Sequence, residues 1–206
     1  MEEKINIAKI LKDKPEKTIL YDTMRDINVS LYVVEKRNGE TNIFCDGMEK
    51  FKGCSFVYSD TGADSIFRKG MQLLKPSKEM QDWEKFSWKK GDVLVSNDGG
   101  AEVIFDKWYD ETYTSFYCKH YLNSEDENKI VYYETFLCTT ERYSLEDKDS
   151  VQTYIKTIEE KLGGKLNCET LEIEKTQPEF KGWGHCLYLW YGVSCLWYSQ
   201  KHRQFI

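Results

Sequence analysis

From Phe86 to Leu137 the chain alternates apolar-aromatic runs with polar or glycine-bearing turns. Lys89-Lys90-Gly91 feeds the apolar run Asp92-Val93-Leu94-Val95, and further runs follow at Val103–Trp108, Tyr113–Leu122 and Lys129–Leu137. Four short runs at this spacing predict the strands of a small, strongly curved β-barrel. Upstream, the same pattern predicts strands at Thr18–Tyr21, Asn28–Glu35, Thr41–Cys45, Ser55–Tyr58 and Ser65–Leu74, the last with a bulge or turn at Gly70. Alternation places Val29, Leu31 and Val33 on one face. Asn38-Gly39 predicts a hairpin tip between Asn28–Glu35 and Thr41–Cys45, because both residues tolerate positive φ. Asp98-Gly99 predicts a second tip, pairing Gly91–Ser96 with Ala101–Lys107.

The helical period is confined to short stretches. Ile5, Ala8, Ile10 and Leu11 predict a brief amphipathic helix halted by Pro15. Ser77 and Glu79–Trp83 predict one helical turn in the connector after Pro76, with Trp83 stapling the segments on either side. Val151, Tyr154, Ile155, Ile158 and Leu162 form one stripe of a longer helix over 149–162, capped by Asp149 or Ser150 and stopped by Gly163-Gly164. Asn167–Lys175 reads as extended, with Leu171 and Ile173 facing inward.

These elements predict a mainly β (β-rich α+β) chain built as tandem small SH3-like β-barrels. The expected units are 1–77 (helix plus barrel), a connector over 78–85, a second barrel over 86–145, and a helix with an extended segment over 146–181. An atypical aromatic tail spans 182–206. The 206 residues, 40% hydrophobic and 15% aromatic, suffice for packed cores.

The 35 acidic against 29 basic residues oppose duplex nucleic acid, and no basic cluster stands out. The cysteines at 45, 54, 118, 138, 168, 186 and 195 include no Cys-x-x-Cys pair and are odd in number, which points to reduced, buried thiols. The N-terminus lacks a basic region followed by an apolar run, so a cytoplasmic setting is the expectation, and no membrane association is expected.

Candidate chemistry is sparse. Cys118 and His120 share a strand face at i, i+2, but that spacing of roughly 6–7 Å is too long for a direct hydrogen bond. Acidic runs at Glu125–Glu127 and Glu146–Asp149 lack calcium-loop spacing, and Gly99-Gly100 has no following Lys-Ser/Thr or helix. No cofactor, metal site or catalytic residue is therefore expected. The aromatic crowding is the remaining signal. About half of these rings must fill a barrel interior by period-two alternation, leaving the others for an exposed platform. Trp88, Trp108, Tyr109, Tyr117 and His120 are the candidate ligand-binding residues.

Gly182–Ile206 contains no Asp or Glu but holds three of the six tryptophans. Gly182-Trp183-Gly184-His185-Cys186, back-translated and read one base later, permits Asp-Gly-Asp followed by Ile or Thr and then Val or Ala. That is the opening expected of a third barrel strand, so the tail reads as a shifted frame. A genuine aromatic strand pairing with a neighbouring sheet is the alternative.

Asn6-Ile7-Ala8-Lys9-Ile10-Leu11-Lys12, Ile19-Leu20-Tyr21, Leu74-Lys75-Pro76-Ser77, Asp82-Trp83, Phe86 and Asp92-Val93-Leu94-Val95 resemble a family of uncharacterised proteins. That family occurs in gut Bacteroides-type bacteria and their phages. The resemblance spans residues 5–140 and departs at Lys90-Gly91. It implies a bacterial or phage origin and a β-rich fold, and names no site residues. The expected function is a non-catalytic protein-binding module. The alternatives are a single-stranded nucleic-acid binder using exposed aromatics and an enzyme using Cys118 or His120.

Overall fold

The computed structural model describes residues 5–64, 71–123 and 130–175. They are mainly β, with two five-stranded antiparallel sheets, a two-stranded hairpin and three α-helices. Residues up to Lys175 make one compact unit. The aromatic tail, and the 65–70 part of the strand expected over Ser65–Leu74, lie outside the described residues.

Helix α1 (Ile7–Leu11) starts where the Asn6 side chain accepts the Lys9 N–H at 2.9 Å, and it buries Ile7, Ala8 and Leu11. The first sheet holds β1 (Ile19–Asp22), β2 (Ile27–Arg37), β3 (Glu40–Gly47), β4 (Ser55–Ser59) and β5 (Leu74–Lys75), in the order β4-β3-β2-β1-β5. The β2–β3 loop is Asn38-Gly39, both at positive φ, as a two-residue hairpin turn twisting with its strands requires.

The connector differs from expectation by one turn. Ser77 Oγ accepts the Met80 N–H at 2.9 Å and closes a turn, while α2 (Trp83–Phe86) begins later, capped by Asp82. An aspartate side chain satisfying the Glu84 and Lys85 N–H groups outcompetes the serine as helix start. Trp83 packs into the first core and is not by itself the staple.

The second sheet holds β6 (Val93–Ser96), β7 (Glu102–Trp108), β8 (Ser115–Asn123), β9 (Ile130–Thr139) and β10 (Tyr143–Leu145), in the order β10-β6-β7-β8-β9. The turn at Asn97–Gly100 joins β6 to β7, with Gly99 at φ +72°.

The two sheets repeat one plan, a four-strand meander whose fifth strand returns to the first. In each, the second strand carries a bulge opposite the third, at Tyr32 in β2 and at Asp106 in β7. Aligning the bulges matches Leu20 with Leu94, Val29 with Val103, Leu31 with Phe105, Cys45 with Cys118, and Phe56 with Phe136. The first four pairs are buried core on both sides. Neither sheet closes into a barrel: β5 and β10, of two and three residues, do not bridge to β4 and β9 among the described residues.

The modules share an aromatic joint. Phe86, at the end of α2, stacks on Trp108 at 6.4 Å between centroids, and Trp108 stacks on Trp88 at 6.0 Å. Trp108 thereby packs against both the first core and the second, which holds Trp88, Leu94, Val103, Phe105, Phe116 and Cys118. Polar ties cross the same seam: Tyr113 OH donates to Ile19 O at 3.1 Å, and Ser77 Oγ to Thr112 O at 2.7 Å.

Helix α3 (Lys148–Leu162) covers part of the outer face of the second sheet. Its cap is Asp147, two residues before the nearer expected cap, because that carboxylate accepts the Asp149 and Ser150 N–H groups. Gly163 ends the helix at φ +68°. The extended segment expected over Asn167–Lys175 is instead a hairpin of β11 (Gly164–Asn167) and β12 (Glu172–Lys175). Asn167 accepts the Glu169 and Thr170 N–H groups and turns the chain there, and Leu171 is fully buried. Ile158, Leu166 and Leu171 cover Val93, Ile104 and Tyr121.

Candidate binding surface

Alternation on β8 sends Phe116 and Cys118 into the second core and turns Tyr117, Lys119 and Tyr121 to the outer face. Helix α3 and its hairpin cover that face near Tyr121. Among the described residues the other end stays uncovered, where Lys107, Tyr117 and Leu137 are direct neighbours across β7, β8 and β9. Tyr109 continues the row and meets Tyr117 edge-on at 5.7 Å. Tyr109 is 52% exposed and Leu137 54%, while the Lys107 ammonium lies 5.5 Å from the Tyr117 ring centre. Large apolar side chains side by side on a sheet face are costly in water unless something covers them.

The row ends at an open strand. Among the described residues β9 pairs on one side only. From Thr135 to Thr139 it carries no proline and no charge, the usual devices that stop a sheet edge from pairing.

The five expected site residues are not one site. Tyr109 and Tyr117 are together in this row. Trp88 is 4% exposed and belongs to the core, so it is not part of any surface platform. Period-two reasoning did not reach it, because it lies outside the strands, in the turn before β6. Trp108 is half-buried in the joint, and its indole N–H is buried without a hydrogen-bond partner.

His120 stands apart, edge-on to Phe136 at 5.9 Å. Burial lowers its pKa from the usual histidine range, which favours the neutral ring. It lines a half-open groove of about 640 Å³ between α3 and the second sheet, with Glu102, Tyr154 and Lys161. The donors of this groove are largely committed to structure. Tyr154 OH donates to Glu102 O at 2.9 Å, and Thr153 and Thr157 donate to carbonyls one turn back in α3. Burial, and then Glu146, raise the Glu102 carboxyl above the usual range.

Cys118 does not turn toward His120. Its thiol meets Cys138 across β8 and β9, Sγ to Sγ 3.4 Å, and also approaches Phe136 O at 3.7 Å. Among the described residues no group of three His, Cys, Asp or Glu side chains is placed to hold a metal ion. No helix among them is long and apolar enough to cross a membrane.

Three features escaped the sequence reading. Leu137 and Lys107 complete the row; the alternation of β7 and β9 carries both, but neither has the aromatic ring that marks the other members. The Cys118–Cys138 contact needs a strand register that no local signal supplies. The third is a buried ionic cluster at the β1–β2 turn. Asp22, fully buried, accepts from Arg25 Nη1 at 2.5 Å and Tyr58 OH at 2.6 Å, and Arg25 Nη2 donates to Asp64 at 2.8 Å. Asp22 also accepts the Met24 and Arg25 N–H groups, so the cluster holds a turn in place.

Comparison of the chain with models of protein families, with curated proteins and with solved structures finds no match.

Proposed function

We propose that the chain is a non-catalytic protein-binding module of bacterial or phage origin, made of two SH3-like modules whose sheets stay open. Its binding surface is the Lys107–Tyr117–Leu137 row with Tyr109. The strand order supports the SH3-like reading: a meander whose fifth strand returns to its first, twice, with the 3-10 turn Thr140–Arg142 leading into β10. The origin rests on the resemblance of the α1, β1 and α2–β6 segments described above.

The observation that carries the function is the row of exposed Tyr109, half-buried Tyr117 and exposed Leu137 running out to the open edge of β9. An extended partner segment adding a strand there would satisfy the free backbone of β9 and lay an apolar side chain beside Leu137. Tyrosine suits such a surface, since it brings much contact area with few rotatable bonds.

Lys107 over Tyr117 favours a second reading, single-stranded nucleic acid stacked on the rings. Charge weighs against it. Residues 86–145 carry eleven acidic against six basic side chains, a field that repels phosphate.

A random peptide display library selected on the purified protein separates the two. The best peptide, measured by fluorescence anisotropy, should weaken at least tenfold with Leu137→Asp and with Tyr109→Ala, a loss of about 1.4 kcal/mol or more. Peptides indifferent to both substitutions overturn the reading. An oligothymidine that binds with a steep salt dependence, and loses affinity with Lys107→Ala, replaces it with the nucleic-acid one.

A further inference from the structure

The alignment of the two modules isolates one difference in their cores. Cys45 and Cys118 occupy the same place, each opposite a phenylalanine on the fourth strand. Two residues further along that strand, the first module has Tyr58 and the second has Cys138. Tyr58 spends its hydroxyl on Asp22. Cys138 instead touches Cys118, at 3.4 Å between sulfurs, and lies 3.6 Å from Tyr143 OH. Cys118 is fully buried, whereas Cys138 is half-buried.

We propose that Cys118 and Cys138 are a redox-active dithiol that closes to a reversible disulfide across β8 and β9. The sulfur approach supports closure: the residues are diagonal neighbours on one face of an antiparallel pair, and their Sγ atoms already lie 3.4 Å apart. The same register supports reversibility. Diagonal positions in a sheet lie farther apart than the spacing a relaxed disulfide prefers, so closure draws the strands together and stores strain. Strained disulfides are the more readily reduced ones.

The chemistry divides by exposure. The Cys138 thiol is held below the usual thiol range, first by a hydrogen bond from Cys118 and then by one from Tyr143, against the effect of burial. Its thiolate attacks one sulfur of a small disulfide such as oxidised glutathione. A new S–S bond forms, the glutathione S–S bond breaks, and one glutathione thiolate leaves. The Cys118 thiol, held above the usual range by its contact with Cys138 and then by burial, gives its proton to the departing second glutathione as its sulfur attacks the Cys138 sulfur and breaks that mixed S–S bond. The protein loses two electrons and two protons, and the oxidant takes them up as two thiols.

The first module is the internal control. Burial, with Asp46 and Asp22 adding to it, pushes the Cys45 thiol up to about 12, and no second cysteine occupies the matching site.

The test uses the full chain, equilibrated with mixtures of oxidised and reduced glutathione, trapped with a thiol alkylator and read by intact mass and peptide mapping. The proposal predicts a loss of two hydrogens and a cross-linked peptide pair joining Cys118 to Cys138, reversed by dithiothreitol, with Cys45 recovered free. Cys138→Ser should abolish the cross-link and leave Cys118 unglutathionylated, because Cys118 alone is buried. Recovery of Cys118 and Cys138 as free thiols, where exposed Cys54 and Cys168 are already glutathionylated, overturns it. So does a Cys118 that links to other cysteines as often as to Cys138.

Discussion

Replacing Phe86 with alanine removes the ring that joins the two modules. Phe86 is 1% exposed and stacks on Trp108, with edge contacts to Trp83 at 5.5 Å and to Tyr113 at 4.8 Å. The Lys14 ammonium sits 4.4 Å above it. Deleting a buried phenylalanine side chain costs ~3–5 kcal/mol, the upper part where neighbours cannot collapse into the space. Three rigid aromatic rings border this one, so a loss of about 4 kcal/mol is expected. Lys14 Nζ also donates to Phe86 O at 2.9 Å, a bond the substitution leaves in place, so the loss reports the ring alone. Urea unfolding followed by tryptophan fluorescence and far-ultraviolet circular dichroism reads it out. The wild-type protein should unfold in one transition with both probes, and Phe86→Ala should shift that single transition. A loss under about 2 kcal/mol would refute the joint. So would two wild-type transitions, of which the substitution moves only one, because the modules would then fold independently.

Two further expectations concern local features. The His120 pKa is lowered in the folded state, so the unfolded chain binds the proton more readily; stability should fall as pH drops below about 6.5 toward the folded pKa. His120→Gln should remove that part of the slope in urea midpoints measured between pH 5 and 8, and an unchanged slope would count against the burial of the ring. Gly91 and Gly99 both have positive φ, but a Cβ on Gly91 would come within 3.1 Å of Cys168 Cβ, whereas one on Gly99 meets nothing. Gly91→Ala should therefore lower the melting temperature clearly more than Gly99→Ala, whose cost of about 1 kcal/mol is conformational alone. Equal losses would mean that the β11–β12 turn does not press on Gly91.

Much of the fold was legible where local chemistry decides. Asn38-Gly39 and Asn97–Gly100 set two hairpins, and the period of Val151, Tyr154, Ile155, Ile158 and Leu162 set α3, because both signals act within a few residues. Pairing partners were less legible. Nothing local distinguishes Gly164–Asn167 as a strand, and its place depends on Leu166 and Leu171 reaching Val93 and Ile104. The proposed surface was half legible. Tyr109 and Tyr117 followed from the aromatic count and alternation, whereas Trp88 was misjudged because its burial comes from Phe105, Trp108 and Phe116, residues that reach it only through the folded sheet. The Cys118–Cys138 contact was invisible for the same reason: the two are twenty residues apart and meet only by the β8–β9 register.

The most direct test of the proposed surface is hydrogen exchange of the full chain, alone and with a saturating library-selected peptide. Strand addition at the open edge predicts slowed exchange along β9 from Thr135 to Thr139, with smaller protection at Tyr117 and Tyr109, and little change in β1–β5. Protection centred on the first sheet, or on the α3 groove around His120 and Tyr154, would contradict it.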